Sequence, residues 1–303
     1  MKTRTRFDRS RIQQRGAFTL IELLVVIAII AALAALSAGA VLKFIEVQQN
    51  NNTQSTLDRT QGELGKAWSK VKNQAYKETI PPTIVTWIQS NLTWPASSDP
   101  NAMGRTRVIY VKLKLRQAFP MSFNEALNPS PLPPLAGYVT YLGSLGITGS
   151  TAASAPYESS ACLLMALQRG VSGAGINPEQ LTQGGATGNY NGIPYLTDAW
   201  NRPIFFARFP TGCPVLNPSG ALSGANDPGD PQGYLQTASW GTTYGPAFAA
   251  LLLQDLAPAN SSFKLAPMVA SGGAFNWDKA GTLPVNTTTL APISSSVMYS
   301  SNP

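Results

Sequence analysis

The chain has 303 residues, a formal charge of +7, two cysteines and no histidine. Without histidine it holds no Ser-His-Asp or Cys-His catalytic site and no His-containing zinc site. Nor does the charge signal nucleic acid: residues 1–17 carry six basic side chains against one acid, so taking their +5 from the total leaves +2 on the remainder, too little to support general phosphate binding.

From Leu23 to Leu42 no residue is charged, and the next charge is Lys43. About 20 apolar residues rising about 1.5 Å each span a hydrocarbon core of roughly 30 Å. The basic residues ahead of this run orient such a helix with its N-terminus in the cytoplasm and send everything after about Lys43 across the membrane. A secretory signal places its small-residue cleavage site after the apolar region. Here Gly16 and Ala17 stand before it, so a cut at that point leaves the apolar helix on the mature chain. Glu22 lies one turn inside the apolar segment, where an unpaired carboxylate is costly and marks function by default; the plainer alternative is an acid tolerated near the interface by snorkelling or local water.

The order small residue, then Phe18-Thr19-Leu20-Ile21-Glu22-Leu23-Leu24, resembles the class III signal of type IV prepilins and type II secretion pseudopilins, over about the first tenth of the chain. The resemblance implies a prepilin peptidase that cuts before Phe18 and methylates its new amino group. The family more often ends its leader in Gly. Cutting after Gly16 would make Glu22 the sixth mature residue, whereas cutting after Ala17 makes it the fifth, as in the family, so the bond Ala17–Phe18 is expected. In the assembled fibre Glu22 would then pair with the N-terminal ammonium of Phe18 on a neighbouring subunit, neutralising two charges that hydrocarbon penalises separately.

Beyond the membrane run come Phe44 and Val47, a polar patch from Gln48 to Gln54, and then Leu57, Leu64, Trp68, Val71 and Ala75, whose spacings keep one apolar stripe on a helix, opposite Asp58, Arg59, Glu63, Lys66, Lys70, Lys72 and Lys77. Pro81-Pro82 ends this pattern, giving a helix over about residues 20–78, with Gly39 and Asn50 to Asn52 as weak helix formers where local melting is expected. Trp94 to Pro100 reads as a loop. Between Arg105 and Phe119, alternation argues a strand and a Val108, Val111, Leu115, Phe119 stripe argues a helix; the stripe reaches Phe119 before Pro120, which favours the helix, with the basic residues as a solvated face. Residues 129–156 read as an irregular insertion, and Tyr157 to Arg169 as a short helix capped by Gly170. The glycine-rich stretches at 170–175 and 184–192 lack phosphate-loop spacing and read as loops.

Asp198-Ala199-Trp200-Asn201-Arg202-Pro203 is similar to the Asp-x-Trp-Gly-x-Pro turn of major pseudopilins. Asn201 stands where that pattern has Gly, and Asn tolerates positive φ well enough to keep the turn. The resemblance implies that Trp200 covers the core and Pro203 starts a strand from Ile204 to Phe209. Leu265 to Asp278 looks like the strand and glycine turn that open the pseudopilin C-terminal loop, which binds calcium in major pseudopilins. Calcium wants six to eight oxygens with several carboxylates; this chain offers Asn276 and Asp278 followed by Lys279, so no cofactor is expected, these two residues being the weak calcium candidates. Cys162 and Cys213 form one disulfide in an oxidising compartment, or Cys162, in an apolar run, is a buried free thiol. The tail from Thr282 to Pro303 is polar and expected to fray.

The expected fold is α+β: a long N-terminal transmembrane and amphipathic helix packed on a mixed α/β domain with a small antiparallel sheet, the lollipop that the pilin resemblance implies. Its parts are a leader (1–17), the transmembrane half of the helix (18–42), the amphipathic half (43–78) and an exported domain (79–303). The expected function is structural, as a subunit of a type II secretion pseudopilus or related type IV pilus-like filament, anchored in the inner membrane by one pass with its C-terminal domain in the periplasm. Its partners would be the prepilin peptidase, other pilin-like subunits and an inner-membrane assembly platform, with no nucleic acid and no enzymatic activity of its own. The alternatives are a surface adhesin or DNA-uptake module using the Gly/Ser/Thr-rich insertions, and an anchored enzyme that borrows the leader.

Overall fold

The computed structural model describes residues 19–92, 98–170, 175–182, 187–208, 230–235, 267–271 and 298–299. The chain divides into two compact units, Met1–Gln48 and Gln49–Pro303. Helix α1, Leu20–Lys77, is 58 residues long and passes through Gly39 and Asn50 to Asn52 without a break. In the first unit every described residue of α1 is exposed, Phe44 and Val47 included.

In the second unit α1 buries Leu57, Leu64, Trp68, Val71 and Ala75, the stripe expected from spacing, and Ala67 beside them. Four polar residues extend it toward the N-terminal side: Thr53, Thr56, Thr60 and Gln61 are all buried. Apolar periodicity is blind to them.

Lys77 ends α1 ahead of Pro81-Pro82, and Pro82 then opens α2 (Pro82–Leu92). Proline suits a helix's first position because its missing N–H has no partner there in any case. Ile84 and Ile88, one turn apart, bury the inner side of α2. Helix α3 (Ala102–Ala118) takes the ambiguous stretch as a helix and is buried around most of its circumference. Its basic residues are not the solvated face expected of them. Lys112 is 1% exposed. Arg105 Nε pairs with Asp99 Oδ2 at 2.7 Å, Lys114 Nζ with Glu78 Oε2 at 3.0 Å and Arg116 Nε with Glu125 Oε1 at 2.7 Å. Arg107 donates to the carbonyls of Ala75 and Glu78, satisfying acceptors that the end of α1 leaves over. A helix at the centre of a domain can carry such charges only if each finds a partner.

Two short helices follow. In α4 (Phe123–Leu127), the Ser122 hydroxyl caps the N-terminus by accepting from Glu125 N at 3.2 Å. The other, α5 (Ala136–Ser144), corrects the reading of 129–156 as wholly irregular: Tyr138 and Leu142, spaced by four, bury one side, and Tyr138 Oη donates to Ala118 O at 2.6 Å. Its prolines and glycines lie mostly outside the helix and masked that pair. Helix α6 (Ala155–Arg169) is the second core helix, with every residue from Ser160 to Leu167 buried. Gly170 does follow it, but at φ −69° rather than in the left-handed region.

After the short α7 (Pro178–Leu181), β1 (Gly188–Tyr190) and β2 (Ile193–Tyr195) pair antiparallel around Asn191 (φ 48°) and Gly192 (φ 86°). Part of the expected 184–192 loop is therefore a hairpin. Its Asn-Gly dipeptide is the pair that best fits two positive φ angles. Tyr190 and Tyr195 pack beside Tyr157 of α6, with ring centroids 5.2 and 5.0 Å away. The second sheet has the order β3 (Phe205–Ala207), β4 (Met268–Ser271), β5 (Met298–Tyr299), all antiparallel. Strand β3 lies within the expected 204–209, and β4 begins three residues into the 265–278 stretch. The pairing of β5 corrects the expectation of a wholly frayed tail.

Candidate functional site

Two places carry the residues singled out by sequence. The first is the start of α1. Thr19 precedes its first helical residue, and Glu22 closes the first turn. The Glu22 carboxylate accepts from Thr19 N and from Thr19 Oγ1, both at 2.8 Å, while Glu22 N donates to Thr19 Oγ1 at 3.3 Å. This is a capping box, Thr-x-x-Glu, in which each residue satisfies a backbone N–H that the helix cannot. The carboxylate that is costly in hydrocarbon is thereby held at the helix end by local donors. Gly16, Ala17 and Phe18 lie outside the described residues.

Beyond Glu22 the helix shows apolar side chains on all sides, among them Leu23 at 60%, Ile30 at 59% and Leu36 at 73% exposure. An amphipathic helix of a water-soluble domain has one apolar stripe; one that is apolar all round belongs in lipid or among other helices. It is the one described helix long and apolar enough to cross a membrane. Ser37 keeps its hydroxyl satisfied within the helix by donating to Leu33 O at 2.8 Å.

The second place is the Asp198 turn, within the second unit. Asn201 sits at φ 60°, the left-handed conformation that the substitution of Asn for Gly required. Asp198 N donates to Arg202 O at 2.8 Å and Asn201 N to Asp198 O at 3.0 Å, closing the turn, while Thr197 bridges to Pro203 ahead of β3. The carboxylate is the hub. Asp198 Oδ1 accepts from Trp200 N and Arg202 N, both at 2.9 Å, and Oδ2 accepts from Ser271 Oγ of β4 at 2.6 Å. Burial raises the Asp198 pKa, and these donors, Ser271 foremost, offset only part of that rise. Ala199 N reaches Thr53 Oγ1 of α1 at 3.1 Å. The turn therefore fastens α1, β3 and β4 together, which is structural work. Trp200 itself is half-buried, and the core residues that flank the turn in the chain are Leu196, Ile204 and Phe206.

Sequence reasoning missed the principal buried ion cluster. Glu125 accepts from Arg116 Nε at 2.7 Å and, in a fork, from Arg208 Nη1 and Nη2 at 2.7 and 2.8 Å. Burial pushes the Glu125 pKa upward, but the Arg208 and Arg116 guanidiniums and Met121 N outweigh it and hold the carboxyl below its ordinary value. The three residues are up to 92 positions apart in the chain, so no local spacing announces them.

Cys162 has a free, fully buried thiol whose pKa is pushed up first by burial and then by the Glu158 and Glu125 carboxylates. Cys213, Asn276 and Asp278 lie outside the described residues. Among the described residues no three His, Cys, Asp or Glu side chains gather closely enough to hold a metal ion.

No curated protein and no solved structure matches the chain. Residues 12–38 match the family model of the prokaryotic N-terminal methylation motif, and with the membrane-capable α1 that they open, the chain carries a type IV pilin-like prepilin signal.

Proposed function

We propose that this chain is a subunit of a type II secretion pseudopilus or a related type IV pilus-like filament. It is cut between Ala17 and Phe18 by a prepilin peptidase, methylated on Phe18, and held in the inner membrane with its C-terminal domain outside until an assembly platform extracts it. The methylation motif at 12–38, opening a helix that is apolar all round, carries this reading. In the filament Glu22 exchanges its partners in the capping box for the N-terminal ammonium of a neighbour. Pairing removes two charges from hydrocarbon at once and fixes the axial register. The Asp198 turn and the β4 strand resemble those of pseudopilins and favour that machine over a surface pilus. The work is mechanical, with helices stacking as the subunit leaves the membrane.

The test expresses the full chain with a prepilin peptidase and assembly machinery, reads the mature N-terminus by mass, and compares filament yield for wild type, Glu22→Gln and Glu22→Ala. Glutamine keeps an oxygen for the capping box and removes the charge; alanine removes both. All three chains should begin at N-methyl-Phe18, and both variants should lose filaments by about 100-fold or more, the scale of an uncompensated charge in hydrocarbon. A Glu22→Gln chain that assembles like wild type would show that capping, not charge pairing, is what Glu22 supplies. An uncut chain starting at Met1 would reduce the apolar half of α1 to a plain anchor.

A further inference from the structure

Along α1 the face buried in the second unit changes character. From Leu64 to Ala75 it is apolar, built by Leu64, Ala67, Trp68, Val71 and Ala75. From Thr53 to Gln61 only Leu57 is apolar, and Thr53, Thr56, Thr60 and Gln61 occupy the other buried positions. Two long-range hydrogen bonds cross this upper seam: Ala199 N to Thr53 Oγ1 at 3.1 Å, and Gln61 Nε2 to Pro267 O at 2.8 Å. Against them stand Thr60 Oγ1 and Gln61 Oε1, which are buried and find no hydrogen-bond partner among the described residues.

Opening the two parts has unequal consequences. Exposing the 64–75 stripe puts five apolar side chains into water and loses their transfer free energy. Exposing the 53–61 seam uncovers one, Leu57, returns two orphaned oxygens to water, and replaces the two bonds it breaks by bonds to solvent. Local opening is drawn from the segments with the least apolar burial. We propose that residues 53–61 of α1 form a release seam, which separates from the Asp198 turn and from β4 while the 64–75 stripe stays docked. The functional sense rests on the filament reading above: release adds nine residues, about 13 Å of helix, to the length of α1 free to pack against neighbouring subunits.

Hydrogen exchange on the full chain in detergent micelles tests this. The Ala199 amide, bonded to Thr53, reports the seam; the Leu163 and Leu164 amides, fully buried in α6, report global unfolding. Ala199 is expected to exchange about 100-fold faster than the α6 pair or more. Thr60→Val, which removes an orphaned hydroxyl at constant shape, is expected to slow Ala199 about tenfold while the α6 pair slows no more than the chain's overall stability gain requires. Ala199 exchanging in step with α6, or unchanged or faster in Thr60→Val, would overturn the seam. Filament yield is scored separately. A chain that opens as described yet never assembles upholds the seam and refutes the filament reading, whereas a chain that assembles with Ala199 locked refutes the seam alone.

Discussion

Glu125→Ala should destabilise the domain by removing the carboxylate that joins Arg116 to Arg208. Glu125 is 7% exposed, and its carboxylate meets both Arg208 guanidinium nitrogens, Arg116 Nε and Met121 N, all within 2.7 to 2.8 Å. Alanine removes the carboxylate that forks with the Arg208 guanidinium, 3% exposed, whose donation to the Phe119 carbonyl at 2.9 Å is to a neutral group. Removing one partner of a buried pair costs about 3–5 kcal/mol, much of it the desolvation of the charge left behind. At about 2–4 °C per kcal/mol for a unit of this size, the melting temperature should fall by roughly 6–20 °C. The assay is thermal and urea unfolding of the full chain in detergent, followed by tryptophan emission, since the Trp68 ring lies 5.3 Å from that of Phe119, whose carbonyl accepts from Arg208. Replacing Glu125, Arg208 and Arg116 together by methionine should cost less than Glu125→Ala alone, because no charge is then stranded. The pH dependence has a definite sign. The folded pKa of Glu125 is depressed, so its contribution is present above the ordinary carboxylate range and is lost as pH falls through the folded value. A loss below about 1 kcal/mol for Glu125→Ala, the range of an exposed pair, would refute the claim that the fork is closed and dry.

Three further outcomes follow from the same geometry. Asn201→Ala should destabilise by about 1–2 kcal/mol and Asn201→Gly should not, because φ 60° strains any residue with a Cβ lacking asparagine's local polar contacts; equal melts for the two would refute this. Burial leaves the folded pKa of Asp198 raised, so this residue makes the fold more stable as pH falls through that value, the reverse of Glu125; Asp198→Asn should flatten that acid-side gain, measured by urea midpoints across the carboxylate range. Gly188→Ala should disrupt the hairpin, since a Cβ there would lie 2.1 Å from the Tyr195 ring, which is itself packed on Tyr157; the check is loss of the Tyr195 to Tyr157 contact in the spectrum of aromatic side chains.

What could be read from sequence was whatever physics writes locally. Hydrocarbon demands an unbroken apolar run, so the membrane half of α1 was visible at once, and the Leu64, Trp68, Val71, Ala75 spacing located its packed half because a helix face repeats within a few residues. The positive φ of Asn201 was legible for the same reason: a turn's chemistry lies within its own six residues. The Asn191-Gly192 hairpin was equally local and was passed over only because the surrounding glycines read as loop. The polar half of the α1 face is another matter. Nothing in Thr53, Thr56, Thr60 and Gln61 distinguishes buried from solvated positions until Ala199 and Pro267, 146 and 206 residues away, are brought against two of them.

The basic run of α3 shows why charge misleads in the same way. Arg105, Arg107, Lys112, Lys114 and Arg116 along one helix describe a solvated face if their partners are unknown. Arg105 instead meets Asp99 and the Tyr234 carbonyl, Arg107 the end of α1, Lys114 Glu78 and Arg116 Glu125. The partners come from the end of α1, from α4 and from the segments around Asp99 and Tyr234, so the helix that looks most soluble is one on which several parts of the fold converge. The low net charge of residues 18–303 is then no sign of an inert surface. Among the described residues acids and bases are matched inside the fold, whereas the apolar half of α1, with one acid in its first turn, turns its side chains outward.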